Sequence, residues 1–450
     1  MRMPASLLVS LCLPLCAATL SGQEARDPAI MHRVAAVDEA RLQATVATLV
    51  GFGTRNTLSD TRSPVRGIGA ARTWLAEQFK ALAAQPGSRL RPFEDRFTCP
   101  AGPRVPQPVE IVNVGAVLPG TDPARAKEAL VLTGHYDSRA TDVLDATSDA
   151  PGAVDDGSGT AMALEAARVM ADARPAVTVY FVAVAGEEQG LLGSDHLAKR
   201  LKAEGVQVLA MLSVDIAGNS EGQDGVKDDT TGRIWSEGVP ANETPAQRRL
   251  RLALGTENDG ASREWARYLQ RLGERYVENL QLLVMLRRDR IARGSDHMSF
   301  SDEGYPAACL RESHENYRRQ HQDVRVEQGV AFGDDLAHFD AHYAARLCRG
   351  VVAALATLAE APAAPRDVTL GGAVSPDTRL RWTLPEDPRI AGILLFRRRD
   401  DGVAWQRIER LPKGASVTLE GVVPDSSAFA IATVDAEGHE SLPQPPSHLE

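Results

Sequence analysis

His135 and Asp137 stand two residues apart at the end of an apolar run, ALVLTG (129–134), so both side chains leave a strand on one face. A histidine that ligates a metal needs its second ring nitrogen held, usually by a carboxylate, and Asp137 is placed to do that. GAVDDGSG (152–159) sets Asp155 and Asp156 side by side on a glycine-rich turn that leads into a helical pattern. Buried adjacent carboxylates call for a cation, and a solvated Asp-Gly turn capped by Ser158 is the plainer alternative. Glu187 and Glu188 follow directly on VTVYFVAVA (177–185). One of two such glutamates can bind a metal while its neighbour acts as base toward a metal-bound water. The alternative is an acidic first helical turn favoured by the helix dipole. Asp215 closes VQVLAMLSVDIA (206–217). Ser295-Asp296-His297 and His321-Gln-Asp323 follow, with His297 read as a core or supporting residue and His321 set in a polar run. His314, His338 and His342 are weaker candidates, the last two on helix surfaces.

The elements that must position these residues are apolar strands at 109–118, 129–134, 177–185, 206–217, 280–286 and 305–310. They alternate with helical patterns at 36–50, 67–84, 159–173 and 263–276. Continuous apolar strands between amphipathic helices predict an α/β sheet covered on both faces. Loops at the carboxyl ends of such strands gather in one crevice, where His135, Asp155, Glu188, Asp215 and His321 would converge. Two histidines and three carboxylates suit zinc, and five ligands suit two zinc ions if one carboxylate bridges. The polar, glycine-rich stretch 218–245 reads as a long loop or a lid.

The chain has 450 residues, 43% of them apolar and 24% charged, which excludes wholesale disorder and allows two or three domains. A formal charge of −10 argues against general affinity for nucleic acid. Residues 1–22 have one basic residue, a short apolar core and small residues at the end, the layout of a secretory leader. The protein is therefore expected to be secreted or periplasmic, and Leu15 before Cys16 is a poor fit to a lipid-anchoring motif. No later segment reads as a transmembrane helix. Cys99, Cys309 and Cys348 allow at most one disulfide in the mature chain. The α/β unit at 23–360 is followed by a Pro/Ala-rich linker at 361–366. Short alternating strands then predict an all-β sandwich at 367–450. Trp382, the strand at Ile393–Phe396 and the closing stretch from Phe429 to Ser441 resemble a fibronectin type III module. None of the chemistry-bearing clusters falls there, so the sandwich reads as a binding or spacing module with a protein or carbohydrate partner, dispensable for chemistry.

Residues 40–355 resemble the secreted dizinc aminopeptidases of the bacterial leucyl aminopeptidase type, whose wider clan includes glutamate carboxypeptidase and glutaminyl cyclase. The resemblance rests on GHYDS, GAVDDGSG, AGEEQGLLGS, VDIAGN, GSDHMSF and QHQD, in the family's order. It implies a mixed, mostly parallel sheet and two Zn2+ per chain. One zinc would take His135 and Asp215, the other Glu188 and His321, with Asp155 bridging. It further implies Glu187 as general base, Asp137 in support and a cis Asp155–Asp156 peptide. The activity implied is removal of N-terminal residues from peptides by attack of a metal-bound water. A carboxypeptidase or dipeptidase on the same centre is the alternative, and glutaminyl cyclase stands further off. One departure is visible: the family's oxyanion-stabilising tyrosine before Ser-Asp-His is missing, and Arg290-Ile-Ala-Arg293-Gly stands there. Arg287, Arg288, Arg290 and Arg293 could serve a carboxylate terminus, or form a basic loop over an acidic site. A serine hydrolase is disfavoured because no Gly-x-Ser-x-Gly elbow occurs.

Overall fold

The computed structural model describes residues 26–450, so the leader read at 1–22 lies outside the described residues. Eight strands form one sheet: Arg91–Cys99 (β1), Val109–Leu118 (β2), Glu128–His135 (β3), Thr178–Val184 (β4), Gln207–Val214 (β5), Thr231–Ser236 (β6), Gln281–Met285 (β7) and Ala307–Glu312 (β8). Their spatial order is β1-β2-β4-β3-β5-β8-β6-β7. Strands β4, β3, β5 and β8 run parallel, as do β6 and β7. The pairs β1–β2, β2–β4 and β6–β8 are antiparallel. The sheet is thus mixed and mostly parallel. His135 lies opposite Val184, and Thr133 opposite Ser213, so β3, β4 and β5 end together.

The helices are Pro28–Ala35 (α1), Glu39–Gly51 (α2), Gly67–Ala83 (α3), Gly157–Met170 (α4), Leu192–Ala203 (α5), Pro245–Leu254 (α6), Ala261–Tyr276 (α7), His297–Asp302 (α8) and Ala341–Glu360 (α9). Side chains alternate across the strands and sort the core into two layers. Leu130, Leu132, Val179, Phe181 and Ala183 pack with residues of α1–α4, α7 and α9. Val131, Val182 and Val184 pack on the other face with Leu197 and Leu201 of α5 and Phe300 of α8. Helix α9 buries 15 of its 20 residues, which is why it is apolar nearly all round.

The stretch 218–245, read as a loop or lid, contains β6, which lies between β8 and β7 inside the sheet. Its sequence, TGRIWS, hides the strand because it is short and carries Arg233. That guanidinium is satisfied by the Glu312 carbonyl at 2.8 Å and the Glu315 carboxylate at 2.8 Å. Among the described residues, Cys99, Cys309 and Cys348 are buried and free.

After a short hairpin, Arg325–Glu327 (β9) and Val330–Phe332 (β10), the chain ends in seven strands: Arg366–Gly371 (β11), Thr378–Thr383 (β12), Gly392–Arg399 (β13), Arg407–Pro412 (β14), Ser416–Leu419 (β15), Ser427–Val434 (β16) and His448–Leu449 (β17). They form two sheets, β15-β12-β11-β17 and β14-β13-β16. Leu380 and Trp382 of one sheet share a core with Ile393, Leu395, Phe429 and Ile431 of the other. The stretch read as a linker is held rather than loose. Arg125 donates to the Ala361 carbonyl at 2.6 Å, and Thr433 to that of Ala363 at 2.8 Å. The opposite face of β13 and β16 sits on α7. There Trp405 Nε1 donates to Glu264 at 3.0 Å, Arg271 clamps Glu440 at 2.6 and 2.7 Å, and Arg398 pairs with buried Asp259.

Candidate metal centre

Strand β3 meets the start of α4 with no room for side chains. A Cβ on Gly134 would collide with the Gly159 backbone, and one on Gly159 with the Val214 carbonyl. This contact explains the glycines of GHYDS and DDGSG, and it brings the ends of β3 and β5 against the turn before α4. Asp156 caps that helix through the Gly159 amide at 2.8 Å and takes the His135 amide at 3.0 Å. The Asp155–Asp156 peptide is cis.

The five residues read as ligands come together around one point. His135 Nδ1 faces the Asp137 carbonyl at 3.1 Å, so it carries a proton and turns Nε2 toward the centre. That Nε2 lies 3.2 Å from Asp155 Oδ1 and 3.8 Å from Asp215 Oδ1. His321 Nε2 lies 3.2 Å from Asp155 Oδ2 and 3.4 Å from Glu188 Oε2. Two donor groups result, His135 with Glu187 and Asp215, and Asp155 with Glu188 and His321; within each, the candidate ligand atoms lie inside 4.8 Å of one another. Two backbone positions are strained to aim them: Ile216, next to Asp215, has φ 56°, and His321 itself has φ 54°.

The donor set fits a cation. Asp155 Oδ2, Glu188 Oε1 and Asp215 Oδ1 are buried without a hydrogen-bond partner, which is costly for carboxylates unless a metal takes them. Burial, with neighbouring acids, pushes Glu187 and Glu188 well above the usual carboxylate range. Burial opposes a charge on His135, but Glu187, Asp137, Asp155 and Asp215 outweigh it and hold the imidazole well above its ordinary value. Cationic charge is what this cluster of acids lacks.

Asp137 acts differently from the sequence reading. Its carbonyl holds the His135 ring, while its carboxylate stands 3.6 Å from that nitrogen. The carboxylate instead accepts from the amides of Glu187 (3.3 Å) and Glu188 (3.2 Å) and from Thr57 Oγ1 (3.0 Å), fixing the tandem-glutamate turn. His297 donates through Nε2 to the Arg288 carbonyl at 2.9 Å, and burial pulls its pKa down to about 4, so it is a neutral core histidine. His297, Asp289 and Cys309 also sit within metal-binding reach of each other. Arg290 at 3.0 Å and Arg311 at 3.5 Å already hold Asp289, and two guanidiniums beside that group repel a cation.

A family pattern described as peptidase family M28 matches residues 113–325. A probable zinc metalloprotease of Leptosphaeria maculans is 39% identical over 418 residues, 93% of this chain and 96% of the relative. The chain belongs to peptidase family M28. A second relative, a probable zinc metalloprotease of Pyricularia oryzae, is 42% identical over 361 residues, 79% of this chain and 71% of its own. Among solved structures, the Legionella pneumophila LapA aminopeptidase shares the fold, with TM-score 0.53 and 20% identity over 79% of this chain and 80% of its own. This M28 chain is accordingly a zinc metalloprotease by family.

Several residues that support this M28 centre were not singled out from sequence. Asp334 accepts from the Asp155 amide at 2.7 Å and from that of Val154 at 2.9 Å. Arg55, wholly buried, donates to the carbonyls of Tyr136 (2.6 Å) and Gly152 (2.8 Å) and to that of Pro151. Arg311 pairs with Asp215 Oδ2 at 2.7 Å. Asp334 stands in a Gly-Asp-Asp run and Arg55 in Gly-Thr-Arg, signals too common to be read. The arginine cluster is largely neutralised: Arg288 pairs with Asp302 at 2.5 Å, Arg290 with Glu315 at 3.0 Å, and Arg293 with Glu315 at 2.9 Å. A cleft of about 1070 Å3 opens at the junction with the sandwich and is lined by residues such as Arg125, Pro362 and Arg389, with none of the donor residues among them.

Proposed function

We propose that this M28 metalloprotease is a dizinc aminopeptidase that releases N-terminal residues from peptides. The carrying observation is the two-way Asp155 carboxylate, with one oxygen toward His135 and the other toward His321. His135 and Asp215 would hold one zinc, Glu188 and His321 the other, with Asp155 shared. Zinc held there would supply Lewis acidity toward the scissile carbonyl and the attacking water, and its charge would favour the ionised form of Glu187. Glu187 takes a proton from that water as its oxygen joins the carbonyl carbon. It then passes the proton to the leaving amine as the C–N bond breaks. Asp137 holds the Glu187 and Glu188 amides and so fixes the base relative to its neighbour.

The preference for an amino end is supported by charge. Acids line the centre, and a substrate carboxylate would have to compete with Glu315 and Asp289 for the arginines. The missing tyrosine leaves Arg293 as a nearby donor, braced on Gln320 at 3.2 Å beside His321. We also infer export through the 1–22 leader and a fibronectin type III-like character for the sandwich, with a protein or carbohydrate as its partner. The deciding experiment pairs metal analysis with matched peptides, free and N-acetylated, and product identification by mass. About two zinc ions per chain and cleavage of the free peptide alone are expected. Equal cleavage of both, or release of the C-terminal residue, would leave a zinc peptidase of another end-specificity.

A further inference from the structure

Arg311 in β8 and Asp215, the residue after the neighbouring parallel β5, are both buried, with the Asp215 amide donating to the Leu310 carbonyl at 3.1 Å. The guanidinium Nη2 lies 2.7 Å from Asp215 Oδ2 and 3.0 Å from the Gly294 carbonyl. Nη1 reaches the Asp215 carbonyl at 3.4 Å. Asp215 Oδ1, the oxygen facing His135 Nε2, has no hydrogen-bond partner. The arginine therefore occupies one carboxylate oxygen and turns the other into the centre.

Its charge is only partly cancelled elsewhere. Asp289 stands 3.5 Å from Nη2, but its other oxygen is taken by Arg290 at 3.0 Å, and Arg290 is itself shared with Glu315. The opposite donor group has no equivalent. The Glu188 carboxylate has Arg139 only at 4.0 Å, bonded to the carbonyls of Ala140 and Thr141, and Arg104 reaches the Glu188 backbone carbonyl at 2.9 Å and not its carboxylate. A cation bound between His135 and Asp215 thus faces a guanidinium hydrogen-bonded to its own carboxylate ligand, whereas the Glu188 carboxylate has its guanidinium neighbour at 4.0 Å. Ligand basicity and nearby charge set affinity and Lewis acidity at such sites.

We infer that Arg311 is a positioning residue that restricts Asp215 to one metal-facing oxygen and makes the His135–Asp215 position the more weakly held of two unequal zinc positions. The inference rests on the dizinc reading above. The less neutralised metal is also the stronger Lewis acid, so the arrangement trades affinity for reactivity at one position.

Stepwise zinc binding to metal-stripped protein, measured by competition with a chromophoric chelator, tests it without reference to activity. The wild-type chain is expected to bind two zinc ions with affinities at least tenfold apart. In Arg311→Met the weaker step is expected to tighten at least fivefold, while Arg311→Lys keeps the charge and holds that step within about threefold of wild type. With zinc saturating, both variants are expected to lose kcat more than KM, since Asp215 is no longer held by a fork. Two equal steps in the wild type, an unchanged or weakened step in Arg311→Met, or a tightened step in Arg311→Lys would each overturn the inference and leave the dizinc reading standing. Uptake of fewer than two zinc ions by the wild type would overturn both. If Arg311→Met does not fold, the Arg311→Lys step and the wild-type separation decide it alone.

Discussion

Asp155 stands midway between two histidines that are 186 positions apart in the chain: its Oδ1 is 3.2 Å from His135 Nε2 and its Oδ2 is 3.2 Å from His321 Nε2. A carboxylate shared so evenly is the arrangement expected of a bridge between two metals. Asp155→Asn keeps the shape and removes the second anionic oxygen. It is expected to lower bound zinc by at least one ion per chain and to abolish turnover together. Elemental analysis showing two zinc ions retained in this variant would remove the bridge.

Glu187 and Glu188 are adjacent yet should separate by function. Glu188→Ala is expected to lose metal and activity in parallel. Glu187→Gln is expected to keep its zinc and lose about 10²–10⁴-fold in turnover, the range for a missing general base. Near-native turnover in Glu187→Gln, measured at full metal content, would move the base to another residue.

Asp334 tests the support beneath the bridge. Its carboxylate holds the amides of Val154 and Asp155. Asp334→Ala leaves those buried donors unpaired, at a cost of about 1–3 kcal/mol of stability. Loss of such outer support is expected to weaken zinc about 10–100-fold. Thermal unfolding and chelator competition measure the two effects, and unchanged zinc affinity would reduce Asp334 to a purely structural role.

The sandwich is docked too firmly to be a loose appendage. A chain ending at 361 would uncover the α7 face, including buried Glu264 and Arg267 and the neighbouring Asp259. Uncovering that face is expected to lower Tm sharply and to drive aggregation. A soluble, monomeric, active truncation would show that the interface adds little.

His439 ties the sandwich to the start of the described chain, reaching Asp435 at 2.8 Å and Asp27 at 2.6 Å. Burial opposes its charge, but Asp435, Glu360 and Asp27 outweigh it and lift the pKa from 6.5 to about 9. A raised pKa means the contribution is complete below about pH 6.5 and disappears as pH climbs through about 9. The Tm deficit of His439→Gln should therefore be largest near pH 6 and shrink toward pH 9. A deficit independent of pH would show that the contact stabilises by packing and not by charge.

The sequence by itself determined the central strands and most of the candidate centre, because both signals are local. The apolar runs 129–134, 177–185 and 206–217 are dense enough to announce buried parallel strands, and each carries its acid or histidine at its end or within two residues beyond it. Strand β6 escaped because Arg233 interrupts its apolar pattern, and what satisfies that arginine is Glu315, 82 positions later. The same non-locality hid Asp334 under Asp155, Arg311 beside Asp215, and the hold of α7 on β13 and β16. It also decided that the Asp137 carbonyl, and not its carboxylate, holds the His135 ring. Residue type and spacing are written along the chain, whereas which oxygen of a carboxylate faces which partner depends on where distant segments stop, and only the packed sheet sets that.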